Sequence, residues 1–269
     1  MSHYLIQPTW RCMNACSYCW VRKTVLTRPE MVHAEERSLD DWARAIRRDA
    51  VGLVDIAGGE PCLLEWLPDL LRACPDTRFG LSTNGLALAT LERIMALRPH
   101  NLVSVNLSYH PESVERMPGY LRAWKRAVQT CLAAGYQRTH CNIVATPANV
   151  EAAQAAIAWL KQVGVHYDLS PYEETAGLGE LRTQALRCMG GVNHLTLAPD
   201  GSAWPCLTTL RSPYWRETCL GNWIDGTIDL SRKPQPCYLD CADYYILATQ
   251  HSAGDMWEVQ ARPVEEGER

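Results

Sequence analysis

The first two thirds of the chain alternate short apolar segments with longer segments in which apolar residues recur every three or four positions. Strands alternating with amphipathic helices are typical of parallel βα units, and six of them predict an α/β fold with an open (β/α)6 partial barrel. The predicted strands lie near 3–8, 53–58, 78–83, 102–108, 139–145 and 166–171. The predicted helices lie near 39–50, 64–74, 90–97, 120–134 and 150–163.

The faces of the later strands differ in polarity, and in a barrel wrapped by helices the outer face of each strand must be apolar. The predicted outward residues are Val103, Val105 and Leu107 on the fourth strand and Tyr167 and Leu169 on the sixth. The predicted inward residues are Ser104, Asn106, Ser108 and His110, then His140 and Asn142, then His166, Asp168, Ser170 and Tyr172. Closed barrels fill their interior with branched apolar side chains, so this polar interior indicates a cavity for a cofactor and a hydroxyl- or amine-rich substrate. A structural hydrogen-bonding role is the alternative for each residue taken singly.

Composition narrows the class of protein. A chain of 269 residues with 47% hydrophobic residues can form one large domain, or one domain with a smaller appendage. The net charge of −4 argues against a broad nucleic-acid surface, and neither a signal peptide nor a membrane-spanning run is visible. Twelve cysteines without an export signal indicate a cytoplasmic protein that uses thiols to bind metal.

Three of these cysteines, Cys12, Cys16 and Cys19, follow the first strand closely. Thiolates bind zinc and iron–sulfur clusters, and a structural zinc site normally needs four protein ligands. Three ligands on a four-iron cluster would leave one iron open to a small molecule, whereas a zinc site completed by a distant residue is the alternative. The spacing, with the aromatic Tyr18 before the third cysteine, resembles the signature of the radical S-adenosylmethionine (SAM) superfamily.

The resemblance implies a cofactor site. In that superfamily the three cysteines hold a [4Fe-4S] cluster, SAM binds its open iron, and the reduced cluster cleaves SAM to a 5′-deoxyadenosyl radical. The segment Gly58-Gly59-Glu60-Pro61 resembles the family motif that contacts the SAM amine. By the same resemblance, Ser82, Asn84, Asn106 and Ser108 would reach the ribose and carboxylate of SAM, and Val144 would pack against the adenine. A simple turn cap is the alternative role of Ser82 and Asn84.

A second group of cysteines lies beyond residue 175. The segment from His194 to Cys206 predicts a hairpin with Asp200-Gly201 as its turn. Together with the late cysteines it resembles the twitch extension, the shorter form of the SPASM domain, so we expect a radical SAM barrel over 1–175 and an extension of hairpin plus helix over 176–269. The expected ligands of an auxiliary [4Fe-4S] cluster are Cys188, Cys206, Cys237 and Cys241. The last pair is spaced by three residues instead of two, so Cys219 could replace one of them, and a zinc site is the alternative. Among the remaining cysteines, we expect Cys62, Cys74, Cys131 and Cys141 to be core residues.

The whole pattern is similar to aminocyclitol dehydrogenases and aminoglycoside epimerases. That likeness implies hydrogen abstraction from a carbinol C–H of a sugar or aminocyclitol in antibiotic biosynthesis, giving epimerisation or dehydrogenation. The candidate catalytic residues are Cys219, as a hydrogen donor, with Tyr172 and His140. A peptide-modifying maturase with a separate leader-binding protein is one alternative, since the first predicted strand starts at residue 3 and we expect no leader-binding domain before it. A non-catalytic iron–sulfur scaffold or sensor is the other.

An electron donor is also expected. Arg11, Arg22, Lys23 and Arg28 surround the first cysteine group and could complement an acidic flavodoxin or ferredoxin. An ordinary solvated basic stretch is the alternative.

Overall fold

A computed structural model describes residues 2–136, 139–146, 149–171, 181–186, 191, 193–232 and 237–239, with the backbone alone for 170–171, 181–186, 232 and 237–239. The strands are β1 His3–Ile6, β2 Leu53–Ile56, β3 Arg78–Thr83, β4 Leu102–Tyr109, β5 Thr139–Ala145, β6 His166–Pro171, β7 Leu181–Leu186, β8 His194–Leu197, β9 Ser202–Trp204, β10 Gly221–Asn222 and β11 Cys237–Leu239. The helices are α1 Pro29–Val32, α2 Leu39–Arg48, α3 Leu67–Ala73, α4 Leu88–Leu97, α5 Ser113–Arg116, α6 Tyr120–Ala133, α7 Val150–Val163 and α8 Leu207–Arg211.

The main sheet has nine strands in the order β10-β9-β8-β1-β2-β3-β4-β5-β6. The strands β1 to β6 are parallel neighbours in chain order, which confirms the predicted α/β partial barrel. Their carboxyl ends therefore lie along one edge of the sheet, where the ligands of such folds bind. Strands β7 and β11 form a separate antiparallel pair.

Helix α2 shows how the sequence forms these units. Ser38 caps it by accepting from the Asp41 backbone N–H, and Asp41 accepts in return from the Ser38 backbone N–H. The apolar stripe of α2 brings Trp42 and Ile46 into the core with no exposed surface. Burying two such side chains contributes roughly 4 kcal/mol relative to leaving them in water.

The predicted outward residues are packed into the core, with two exceptions. Val105 and Leu107 are fully buried as predicted, but Leu102, and not Val103, joins them in the core. The reason is a register shift between β3 and β4, in which Phe79 pairs with Leu102 and Gly80 with Ser104, so that Val103 is displaced from the outer face.

On β6, Tyr167 packs against the core as predicted. The prediction that Leu169 is covered is wrong, because 51% of its surface is exposed. Strand β6 is the last in the main sheet, with a neighbour on one side. The four cysteines predicted as core residues, Cys62, Cys74, Cys131 and Cys141, are all buried in the main core.

The C-terminal hairpin continues the barrel sheet. Strand β8 pairs in parallel with β1, and β9 folds back against β8 through the predicted Asp200-Gly201 turn, with Gly201 at φ +87°. Helix α8 follows, as expected of a hairpin-plus-helix extension. The predicted domain boundary at 175/176 lies outside the described residues, so the division into 1–175 and 176–269 stays a prediction. Among the described residues, no helix has the length and apolarity needed to cross a membrane.

Candidate functional site

The three-cysteine loop lies at the carboxyl end of β1. Cys16 is buried, Cys19 is half-buried and Cys12 is exposed, and all three are free thiols. Burial raises the pKa of Cys16 to about 12, with smaller contributions from its neighbours Cys19, Glu112 and Cys12. Because neighbouring thiolates repel one another, coordination to a metal centre would stabilise their ionised form. The three thiols thus fit an iron–sulfur cluster, which thiolates bind.

The loop is anchored to the end of β4. The Ser17 backbone N–H donates to Glu112 at 2.6 Å and its hydroxyl at 2.8 Å, and Arg116 donates both to Glu112 and to the carbonyl of Ala15. The Tyr18 hydroxyl lies 2.9 Å from Nδ1 of His110. Sequence reasoning placed His110 inside but missed Glu112 and Arg116, although an acidic and a basic residue four apart just after a strand end are a detectable signal.

The Gly58-Gly59-Glu60 segment lies directly against the cysteine loop. The backbone N–H of Gly59 donates to the Thr9 carbonyl at 2.9 Å, and that of Glu60 donates to the Arg11 carbonyl at 2.7 Å. A Cβ on Gly59 would lie 2.2 Å from the Arg11 oxygen, so only glycine allows this approach. Gly58 has φ +112°, a backbone conformation that L side chains rarely adopt.

Glu60 is fully buried, and its carboxylate accepts hydrogen bonds from neighbouring residues of the chain. It accepts from the Cys62 backbone N–H at 2.9 Å, the Thr83 hydroxyl at 2.6 Å and the Asn84 backbone N–H at 2.7 Å. Burial raises its pKa, and these hydrogen bonds oppose the rise. Glu60 therefore joins the end of β2 to the end of β3, and its predicted direct contact with a cofactor stays a prediction.

Asn84 links Glu60 to the cysteine loop. We call Glu60 and its three hydrogen bonds the Glu60 brace. Its amide Nδ2 lies 3.7 Å from Sγ of Cys12 and 3.5 Å from Sδ of Met13, and its Oδ1 accepts from the Leu86 backbone N–H. The Asn14 backbone N–H also donates to Sγ of Cys12 at 3.4 Å. Donors of this kind favour the thiolate form of Cys12. Although the residue is exposed, desolvation of its sulfur by the surrounding loop is the largest influence and raises its pKa.

The lumen face of the barrel is polar, as the alternation predicted. On β3 to β5 the core takes Leu81, Leu107 and Ile143, so their strand neighbours face the lumen. Predicted site residues on this face are Ser82 on β3, Asn106 and Ser108 on β4, and His140, Asn142 and Val144 on β5. Ser82 pairs with Asn106, and Ser108 pairs with Asn142.

One lumen atom is notable for its burial. Oδ1 of Asn106 is buried without a hydrogen-bond partner among the described residues, which fits a place reserved for a donor on a bound ligand. Sequence reasoning missed Gln7, a buried side chain just after β1 whose two amide atoms are likewise unpartnered in the described part of the chain.

His140, His166 and Asp168 converge lower in the lumen. Nε2 of His140 lies 2.9 Å from Oδ2 of Asp168, and its Nδ1 lies 3.0 Å from Nδ1 of His166. Burial lowers the pKa of His140, and the Asp168 carboxylate opposes this effect. The predicted inward residues of the fifth and sixth strands are thus brought together.

The C-terminal predictions are partly described. Cys206 is buried before α8, with Sγ 3.7 Å from the Thr209 hydroxyl. Cys219 packs against a second apolar cluster, which also contacts Cys19. The buried members of this cluster are Trp10, Val21, Val25, Met31, Ala198, Trp204, Leu210 and Trp215. Cys188, Cys241 and Tyr172 lie outside the described residues, as do the side chains of Cys237 and Ser170, so the auxiliary ligand set stays a prediction.

Arg11 and Arg28, which we expected to attract an electron donor, are held against other parts of the protein. Arg11 is paired with Glu36, with one nitrogen–oxygen distance of 2.8 Å. Arg28 donates to the carbonyls of Leu210, Arg211 and Ser212 and lies over the ring of Trp215. Arg22 and Lys23 are exposed, so a docking surface would depend on them.

The structure is an open parallel barrel with a three-cysteine loop after its first strand, held by a glycine-rich segment after the second. This arrangement fits a protein that binds an iron–sulfur cluster with one iron open to a small molecule. The sequence profile of the Radical SAM superfamily matches residues 6–166, more than half of the chain. The chain therefore belongs to this superfamily, whose members hold a SAM-binding [4Fe-4S] cluster.

One curated protein and two solved structures that are similar to this chain show how far the likeness extends. A GTP 3′,8-cyclase of Pelotomaculum thermopropionicum is 28% identical over 156 residues, which are 54% of this chain and 46% of that protein. The chain thus spans about half the length of this curated relative. Two structures of anSMEcpe are similar in fold. The one with bound AdoMet gives a TM-score of 0.58 at 16% identity, covering 84% of this chain and 79% of that one. The one that also holds the Cp18Cys peptide gives 0.57 at 17% identity, covering 84% and 78%.

Proposed function

We propose that the protein abstracts a hydrogen atom from a C–H bond beside a hydroxyl group of a sugar or aminocyclitol, as a step of natural-product biosynthesis. The observation that carries this proposal is the polar lumen face of β4 to β6. Asn106, Ser108, Asn142 and Asp168 offer both donors and acceptors there, and the Oδ1 atom of Asn106 is buried without a partner among the described residues. Such a face suits a substrate that can exchange hydrogen bonds with it, since a buried polar atom left without a partner costs about 1–3 kcal/mol.

The chain's own residues hold the cofactors. Cys12, Cys16 and Cys19 would bind the cluster, while the carbonyls of the Gly58-Gly59 segment would accept from the amine of SAM. When bound, the cluster and SAM together supply the 5′-deoxyadenosyl radical that removes the substrate hydrogen. Glu60 fixes Asn84 beside Cys12. Tyr18 and His110, joined by a hydrogen bond of 2.9 Å, form a wall at the end of β4.

The substrate roles follow from position. Ser108 and Asn142 are paired across β4 and β5, nearer the carboxyl edge than His140, and would orient hydroxyl or amine groups. Ser82 and Asn106 would contact the ribose or carboxylate of SAM, and Val144 the adenine. His140 would accept a hydroxyl proton if the carbinol is oxidised to a ketone, and Tyr172 is a further candidate for this role.

The fate of the substrate radical depends on the C-terminal residues. We propose that Cys188, Cys206, Cys237 and Cys241 hold an auxiliary [4Fe-4S] cluster that accepts the remaining electron in a dehydrogenation. In an epimerisation, Cys219 would instead return a hydrogen atom to the opposite face of the carbon, and the thiyl radical left on its sulfur would be reduced to the thiol by one electron from the donor protein and one proton. A flavodoxin or ferredoxin near Arg22 and Lys23 would supply the reducing electron, and the cytoplasm is the compartment proposed.

A peptide substrate is the second candidate. It is favoured by the likeness in fold to anSMEcpe, which has been solved with the Cp18Cys peptide. The experiment is an anaerobic assay of the reconstituted, reduced protein with aminocyclitols, a cysteine-containing peptide and GTP in parallel, measuring 5′-deoxyadenosine and product mass. We expect aminocyclitols to stimulate 5′-deoxyadenosine formation and to change mass by two hydrogens or by stereochemistry alone. Stimulation by the peptide or by GTP alone would contradict the proposal.

A further inference from the structure

Three potential metal ligands share one face of the lumen near the amino-terminal ends of the strands. His140 on β5 pairs with His166 on β6, and Asn142 pairs with Asp168. Because residues two apart on a strand point to the same side, His166 and Asp168 lie on the face that His140 occupies. The three side chains come from two adjacent strands, so the backbone register alone brings them together.

Their atoms lie at separations suited to one ion. One ligand atom from each residue lies within 4.8 Å of the other two. Nε2 of His140 is 2.9 Å from Oδ2 of Asp168, and ligands bound to one ion at about 2.1 Å are about 3.0–3.4 Å apart in octahedral or tetrahedral geometry. The His140–His166 contact of 3.0 Å uses the other nitrogen of His140, so the His166 ring would turn toward the ion.

The three residues differ in burial, and this difference would leave a bound ion accessible on one side. His140 is 9% exposed and is fixed in the wall, whereas His166 is exposed and the Asp168 side chain is 44% exposed. An ion could therefore reach the exposed side of these residues and would keep open coordination positions there. Two imidazoles and one carboxylate suit zinc or ferrous iron, while magnesium and calcium prefer oxygen ligands alone.

We propose that His140, His166 and Asp168 form a binding site for a divalent transition-metal ion that is separate from the cysteine loop. Ala145 at the carboxyl edge lies five positions after His140 on β5, a rise of about 16 Å. The open positions of the ion would bind an oxygen or nitrogen of a molecule in the lumen. A metal-bound His140 would not accept a proton through the coordinating nitrogen, so in the metal-bound protein Tyr172 is the candidate base.

The test is zinc binding by the cluster-loaded protein, which is independent of radical turnover. Anaerobic equilibrium dialysis against buffered zinc should load one zinc at this site, and zinc-edge X-ray absorption should show nitrogen and oxygen ligands at about 2.0–2.1 Å. His166→Ala and Asp168→Asn should each weaken zinc binding about 100-fold or more, since even losing a ligand's hydrogen-bond partner costs about 10–100-fold.

Matched controls are available on the surface. His33 and Asp76 are exposed and do not belong to the group of His140, His166 and Asp168. The variants His33→Ala and Asp76→Asn should therefore leave zinc affinity unchanged. Unchanged iron content in all variants would show that the clusters and the fold are intact. The proposal would be overturned by absence of zinc binding, by His166→Ala and Asp168→Asn variants that bind zinc as tightly as the wild type, or by sulfur ligands at about 2.3 Å. In those cases the three residues form a hydrogen-bonded chain alone.

Discussion

The two ends of the lumen are built on different principles. At the carboxyl edge, polar side chains bond to the backbone of neighbouring loops, as Glu60 does to Asn84 and Glu112 does to Ser17. At the amino-terminal end, polar side chains bond to each other across adjacent strands, as His3 does to Asp55 at 2.7 Å and His140 to Asp168 at 2.9 Å. The first arrangement fixes the loops that follow the strands, and the second holds titratable groups against each other on adjacent strands.

This difference explains what each end tolerates. A loop held by carboxylate-to-backbone bonds loses its shape when the acceptor is removed, because each orphaned N–H costs free energy. A side-chain pair on rigid strands can be changed without moving the backbone. Variants at the carboxyl edge should therefore affect the cluster, and variants at the other end should affect ligands or pH dependence.

The largest effect should come from the cysteine loop. Combined Cys12→Ala, Cys16→Ala and Cys19→Ala should reduce SAM cleavage to background and lower the iron content by about four per chain, the content of one [4Fe-4S] cluster. Iron, sulfide and 5′-deoxyadenosine analysis measures both. Cys131→Ala is the matched control, because Cys131 is a core residue that contacts no part of this loop in the described interactions. Unchanged iron in the triple variant would contradict the assignment.

The next effect concerns the Glu60 brace. Glu60→Ala leaves Thr83, Asn84 and Cys62 without their acceptor, and we expect a loss of about 3 kcal/mol in the free energy of unfolding together with reduced cluster occupancy. Glu60→Gln retains one oxygen and should lose less. Chemical denaturation and iron analysis give the two readouts, with the exposed Glu65→Ala as control. A stable Ala variant with full iron would show that the brace is dispensable.

A change of product, without loss of the radical cluster, is expected from Cys219→Ala. If Cys219 returns hydrogen to the substrate radical, the variant keeps its iron, stops forming inverted product and yields a ketone or stalled products. Chiral product analysis with iron analysis separates the cases. A lower iron count would make Cys219 a cluster ligand, and full activity with full iron would make it a packing residue of the apolar cluster around Trp204.

The smallest effect should appear at the other end of the lumen. Burial lowers the pKa of His194 to about 3, so the folded protein leaves it neutral at pH values where the unfolded chain protonates it. Above pH 6.5 this group does not reduce the free energy of unfolding. As the pH falls below 6.5, the unfolded chain takes up a proton at His194 and the free energy of unfolding decreases. Between pH 7 and pH 5 the wild type should lose about 2 kcal/mol more than His194→Asn. Denaturation curves at both pH values measure the difference, and parallel losses would contradict it.

The same contrast explains what could be predicted from sequence. The carboxyl edge was predictable because its residues follow strand ends in short segments, such as Cys12 to Cys19 and Gly58 to Pro61. The inward direction of His140 and Asp168 followed from alternation. Their contact did not, because it depends on the register between β5 and β6, which no local pattern encodes.

Two predictions from strand alternation were wrong, for different physical reasons. Val103 was assigned to the core because alternation was assumed to be unbroken, whereas the register shift against β3 displaces it. Leu169 was assigned to a covered face, but it lies on the last strand of the main sheet. The contact of Glu60 with a cofactor, assigned by its motif, stays a prediction, while its burial and its three bonds appear only in three dimensions.

The central claim is that a cofactor at the carboxyl edge takes hydrogen from a carbinol carbon held in the polar lumen. It is tested most directly with an aminocyclitol deuterated at the reacting carbinol carbon, incubated with the reconstituted, reduced protein and SAM. The account predicts one deuterium in the 5′-deoxyadenosine recovered, measured by mass spectrometry, and none when deuterium is placed at a carbon that bears no hydroxyl or amine. Unlabelled 5′-deoxyadenosine from every labelled aminocyclitol, alongside transfer from a deuterated peptide, would contradict it.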